Sequence, residues 1–292
     1  MKTEDKQMSE VNRLYKDRIF SLIFGREENK AWTLSLFNAI NESNFTNSED
    51  IHIETIDDFI YMSMKNDVAF IIGDYINLYE HQSTFNPNMP LRELVYLSKL
   101  YEKLIKRNKM NVYSGKQLIL PAPRFIVFYN GEQEKEDEIL KLSDSFPEEV
   151  KEKSDIEVSV KMLNINYGHN KELMDKCDAL KQYSLFISHI RKYCESHELD
   201  EAVKRSIDDM PEGGLKTYFE GHRAEVLQML FTEYNEKEHM DAVRAEGKEE
   251  GVDMIVALHS ALVKDNRLED LKKSFEDKEY QTELLKEYGI YE

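Results

Sequence analysis

The sequence predicts an α/β protein, a mixed sheet flanked by helices and followed by a region that is helical only. Three observations predict it. First, residues 64–82 read as a β-hairpin, because two apolar runs flank Gly73-Asp74. Glycine followed by a polar residue signals a two-residue loop of type II′. Second, Phe125-Ile-Val-Phe-Tyr129 is a continuous apolar run between Pro121-Ala-Pro123 and Asn130-Gly131. Such a run bounded by turn residues suits a central strand, and the apolar run Val68–Ile72 suggests a strand covered on both faces. Third, strand signals stop at Lys171, and helices are predicted over 171–194, 198–209, 214–234, 238–262 and 266–288, broken by Pro211-Glu-Gly-Gly214.

The elements follow in order. Arg13 to Phe24 clusters its apolar residues as a helix does, and Gly25 stops it. A second helix is predicted from Asn29 to Ile40, then a polar loop to Asp50. Ile51-His-Ile-Glu-Thr-Ile56 alternates with period two and predicts a strand ended by Asp57-Asp58. After the hairpin, Pro90 suits the first turn of a helix over Leu91–Met110, with Leu94, Leu97, Leu100, Tyr101 and Leu104 as its apolar stripe. Glu132 to Lys153 is acidic and predicts an exposed loop with a short helix, and Ile156 to Ile165 alternates as a further strand. The stretch from Val243 to Met254 is a charged arm with glycines spaced by four, too polar for a membrane helix pair.

Composition bounds the function. With 292 residues, 41% hydrophobic and 33% charged, the chain can build a proper core as one large domain or two. A net charge of −18 argues against a protein that coats DNA non-specifically. Cys177 and Cys194 lack metal-ligand spacing and read as buried thiols of a reducing compartment. The N-terminus is charged with no apolar segment behind it, and no apolar run is long enough to span a bilayer, so a cytoplasmic location without a membrane partner is expected.

The hairpin carries the chemistry. With Gly73-Asp74 as the loop, Ile72 faces Tyr75 and Asp67 falls opposite Glu80. Opposed residues have Cβ atoms about 4.5–5.5 Å apart. Two carboxylates that close need a cation or a shared proton. Gln82 shares the face of Glu80, and Lys65 pairs with Gln82 in the same register. Two readings fit: a functional cluster of Asp67, Glu80, Gln82 and Lys65, or a solvated edge where Lys65 and Glu80 form a cross-strand ion pair. Arg92 and Tyr96 share one helical face. From Leu91 to Arg124 there are eight basic residues, among them Lys99 and Lys103, and two acidic ones. This excess reads either as a surface for a polyanion or as the solvated face of a helix.

Helix, helix, strand, hairpin, helix, strand, strand, with Asp67 on one hairpin arm and Glu80-His-Gln82 on the other, resembles the PD-(D/E)XK nuclease superfamily. It is more closely similar to the bacterial Rpn-type recombination-promoting nucleases and transposase-like proteins. The matching stretches are Asp17-Arg-Ile-Phe-Ser-Leu-Ile-Phe-Gly25, Lys65-Asn-Asp-Val-Ala-Phe-Ile-Ile72, Glu80-His-Gln-Ser-Thr84, Asn88-Met-Pro-Leu-Arg92 with Tyr96, Pro123-Arg-Phe-Ile-Val-Phe-Tyr-Asn-Gly131 and the late Ala245-Glu-Gly-Lys-Glu-Glu-Gly251. The resemblance implies a restriction-endonuclease-like core over residues 11–168 and a helical region over 169–292 that serves oligomerisation, as a dimer, or interaction. It implies metal-dependent hydrolysis of DNA phosphodiesters, linked to recombination or anti-phage defence.

Under that resemblance Asp67, Glu80 and the His81 backbone carbonyl hold Mg²⁺, with Mn²⁺ or Ca²⁺ as alternatives, while Arg92, Tyr96, Lys99 and Lys103 face DNA. The superfamily's usual lysine is replaced here by Gln82, which cannot act as a base at neutral pH. Gln at this place is normal for the Rpn-like group, and Lys65 is the expected substitute cation. The alternative function is a degenerate nuclease fold that binds DNA or a protein without cleaving. A further alternative puts the function in the helical half, as an oligomerisation or toxin-control module.

Overall fold

The computed structural model describes residues 15–54, 67–230 and 254–290, without the side chains of residues 15–17, 276 and 279. The expected hairpin entry at 64–66, including Lys65, and nearly all of the charged arm at 243–254 lie outside them. The chain forms two compact units, Met1–Glu233 and Tyr234–Glu292.

The first unit is built on a six-stranded mixed sheet in the order β1-β2-β3-β4-β6-β5. The strands are β1 (His52–Ile53), β2 (Val68–Ile72), β3 (Tyr75–Gln82), β4 (Ala122–Tyr129), β5 (Glu138–Lys141) and β6 (Ser159–Asn164). β4 is central and parallel to both β3 and β6, while β1, β2 and β5 pair antiparallel with their neighbours. Gly73 has φ +53° while Asp74 does not enter the left-handed region, as a type II′ loop requires.

Helices α1 (Tyr15–Phe24), α2 (Lys30–Asn41), α4 (Lys171–Lys176), α5 (Asp178–Cys194), α6 (Leu199–Asp208) and α7 (Gly214–Gly221) lie on one side, with α3 (Met89–Arg107) on the other. Alternation along each strand sorts the two faces. Phe70, Tyr79, Phe128 and Leu163 join Phe20, Phe24, Phe37, Tyr183 and Phe186 in the larger core. Ala69, Ile76 and Leu78 meet Tyr96, Leu97, Leu100 and Leu104 of α3. Between α1 and α2 the turn is fixed by side chains that take up the orphan carbonyls of the α1 end. Asn29 Nδ2 donates to Leu22 O at 3.0 Å and Thr33 Oγ1 to Phe24 O at 2.7 Å.

Four expectations need correction. The helix expected over 214–234 is interrupted at His222, where α7 ends, and resumes over 223–230 among the described residues. β5 falls inside the acidic stretch expected to be loop, because Leu140 reaches a small core with Val160 and Met162 and the strand pairs with β6. The helix expected over 171–194 breaks at Cys177, whose backbone is extended (φ −133°, ψ 92°) while its thiol is fully buried. The helix expected over 266–288 is two, Leu268–Glu276 and Lys278–Glu287, because Asp277 leaves helical geometry and its side chain accepts the Tyr280 N–H. The predicted β1 is described only as His52–Ile53, since residues 55–56 lie outside the described set.

The second unit is helical in its described part, with residues 254–264 and the two helices around Asp277. Leu258, Leu262, Leu284 and Leu285 form its core. Among the described residues no helix is long and apolar enough to cross a membrane. Both cysteines are free, and burial pushes the Cys194 thiol up to about 11.

Candidate functional site

The hairpin register pairs Val68 with Tyr79 and Ile72 with Tyr75, so Asp67 stands directly opposite Glu80. The two residues form a reciprocal clasp through their carboxylates. The Asp67 N–H donates to Glu80 Oε2 at 3.0 Å, and the His81 N–H donates to Asp67 Oδ2 at 2.6 Å. Amide donors favour the ionised carboxylate, which lets two acids share one end of a hairpin. Ser21 Oγ of α1 donates to the Asp67 carbonyl at 3.0 Å, tying this end to the first helix.

Strand alternation puts Asp67, Glu80 and Gln82 on the face covered by α3. Glu80 is 2% exposed and Gln82 6%. A buried carboxylate needs a counter-charge, and α3 supplies it. Arg92 Nη2 donates to Glu80 Oε1 at 2.6 Å and to the Tyr96 hydroxyl at 3.0 Å. Burial, then repulsion from Glu80, pushes the Tyr96 phenol up to about 12.

His81 turns its ring to the opposite face, where it sits against Phe20 at 5.4 Å and its Nε2 meets the Tyr183 hydroxyl at 3.0 Å. Its backbone points elsewhere. Gln82 O accepts from the Asn130 N–H on the β4 side at 2.8 Å. Adjacent residues of a strand point their peptide groups to opposite edges, so the His81 carbonyl is directed toward the β2 edge, where Asp67 lies.

The nucleic-acid candidates separate. Arg92 and Tyr96 belong to the cluster, but Tyr96 is 1% exposed, so its ring face is core surface and not a platform for a base. Lys99 and Lys103 lie along α3, and Lys103 is about 16 Å from Arg92 by helical rise. Lys103 pairs at 3.5 Å, and Arg107 at 2.8 Å, with the buried Glu54 that follows β1. Lys99 and Lys106 both approach Glu102. Much of the basic excess read from the sequence is thus matched by acids from α3 itself and from beyond β1. Lys65 lies outside the described residues, and so does the side chain of Asp17.

Glu93 joins the cluster although the hairpin pattern does not point to it. Glu93 is fully buried beside Arg92, and neither of its oxygens has a hydrogen-bond partner among the described residues. Burial first, then Glu80, raises its pKa well above the usual carboxylate range, against the pull of Arg92. A signal existed, since Glu93, Leu97, Leu100 and Leu104 follow helical spacing and place Glu93 on the buried stripe.

Among the described residues no group of three or more His, Cys, Asp or Glu side chains is arranged to hold a metal. The oxygen donors at this corner are the Asp67 and Glu80 carboxylates and the His81 carbonyl, all of them hard. Mg²⁺ is commonly bound by one or two carboxylates and keeps several waters, so this set fits it. Gln82 Oε1 is buried on the same face and has no hydrogen-bond partner among the described residues, which leaves an acceptor for a bound water. No family model, curated protein or solved structure matches the chain.

Proposed function

We propose that the Asp67–Glu80 clasp is the metal site of a PD-(D/E)XK-type nuclease that hydrolyses DNA phosphodiesters. The clasp carries the reading: two carboxylates, register-locked at a strand end, face one buried corner with a carbonyl directed to the same edge. A divalent ion there would polarise the scissile phosphate and acidify a bound water. Asp67 and Glu80 would hold it and the His81 carbonyl would complete the protein ligands. Gln82 would orient water through Oε1, and Arg92 would face the phosphate. The helix-flanked sheet, with its hairpin leading through α3 into the parallel β4, is compatible with such a core.

A second reading is a nuclease fold that binds DNA or protein without cleaving. Gln82 in the place of a lysine and the guanidinium already seated on Glu80 favour it. Supercoiled plasmid incubated with Mg²⁺ or Mn²⁺ separates the two. The nuclease reading expects metal-dependent nicking that falls at least about a hundredfold in Asp67→Ala, since metal assistance is worth several kcal/mol. Absence of cleavage by the parent protein with either metal, over a range of salt, would select the binding module.

A further inference from the structure

Arg92 occupies an unusual place for a cation. It sits in the first turn of α3, where the helix dipole is positive, and that turn carries no acidic residue. What holds it there is Glu80: Nη2 lies 2.6 Å from Oε1, with the Glu80 side chain 3% exposed and that of Arg92 27%. The contact uses one corner of the guanidinium, and Nε is buried with no hydrogen-bond partner among the described residues. Glu80 Oε2 accepts the Asp67 N–H and Oε1 carries Arg92, so an ion entering at this carboxylate meets the guanidinium. Two cations on one buried carboxylate repel strongly. A planar fork with unused donors is suited to a phosphate diester.

We infer that Arg92 is a tethered counter-ion that competes with the divalent metal for Glu80 and, once displaced, becomes the ligand of the scissile phosphate. This rests on the metal-site reading above. In the structure the guanidinium neutralises the buried Glu80. Metal entry releases it toward the solvent-reachable side of the corner, where it meets the substrate anion. Metal and DNA therefore bind with positive coupling, because each favours the arrangement in which Arg92 has left Glu80.

The test is a calorimetric titration with Mn²⁺ of the parent, Arg92→Met, Arg92→Lys and Asp67→Ala proteins at one mildly alkaline pH. Duplex affinity is measured alongside in Ca²⁺. Arg92→Met is expected to bind Mn²⁺ about tenfold tighter than the parent and DNA several-fold more weakly. Arg92→Lys, which keeps the charge, should stay near the parent for Mn²⁺ and guards against a folding defect in the methionine variant. Equal or weaker Mn²⁺ binding by Arg92→Met, or equally tight binding by Arg92→Lys and Arg92→Met, would overturn the inference and leave the metal site standing. No Mn²⁺ binding by any of the proteins, or binding that survives Asp67→Ala unchanged, would overturn the metal-site reading and the inference with it.

Discussion

Phe20→Ala is expected to lower the stability of the first unit by about 3–5 kcal/mol, the range for truncating a fully buried phenylalanine. Phe20 is 0% exposed. Its ring lies 4.8 Å from Phe24, 4.9 Å from Phe128 and 5.8 Å from Tyr183, and it also meets the His81 ring. It therefore joins α1, β3, β4 and α5 at one point, and no neighbour can collapse into the space without breaking one of those contacts. Urea unfolding should show a lower midpoint with the slope unchanged. The effect reaches the site, because the His81 ring is held by Phe20 and Tyr183 while its amide holds Asp67. A loss below about 1 kcal/mol would mean that this junction is loosely packed.

Glu93→Gln should alter the pH dependence of stability more than any surface change. Burial and the nearby Glu80 raise the Glu93 pKa in the folded protein above its ordinary 4.5. A carboxyl with a raised folded pKa binds its proton more tightly when folded. Its contribution is complete below the unfolded pKa and is lost as pH climbs to the folded value. Within that window the parent should lose up to about 1.4 kcal/mol per pH unit relative to a variant that cannot ionise. Glu93→Gln should thus match the parent at pH below 4.5 and become progressively more stable above it, in thermal melts across a pH series. Parallel melting curves for the two proteins would show that Glu93 does not carry a buried proton.

Parts of this arrangement were legible in the sequence for definite reasons. Gly73-Asp74 sets the hairpin register, and the register alone sets Asp67 against Glu80. Pro90 marks the first turn of α3, and the apolar run ending at Tyr129 marks the central strand. What escaped was tertiary. β5 has two apolar residues, Ile139 and Leu140, amid acids, and its pairing with β6 decides its state. The break at Cys177 carries no glycine or proline, and the extended residue there has its side chain buried in the core. Helical spacing puts Arg92 and Tyr96 together, but only the fold brings Arg92 onto Glu80 and buries Glu93 within reach of both charges. The basic residues of α3 looked like a polyanion surface because their partner Glu54 is distant in sequence.

We propose that Asp67 and Glu80 together hold a divalent ion, and anomalous scattering from Mn²⁺ in crystals of the protein tests this. One strong peak is expected within coordination distance of Asp67, Glu80 and the His81 carbonyl, with the Arg92 guanidinium withdrawn from Glu80 Oε1. A peak elsewhere, or a corner without a peak in which Arg92 still sits on Glu80 at saturating Mn²⁺, would contradict it.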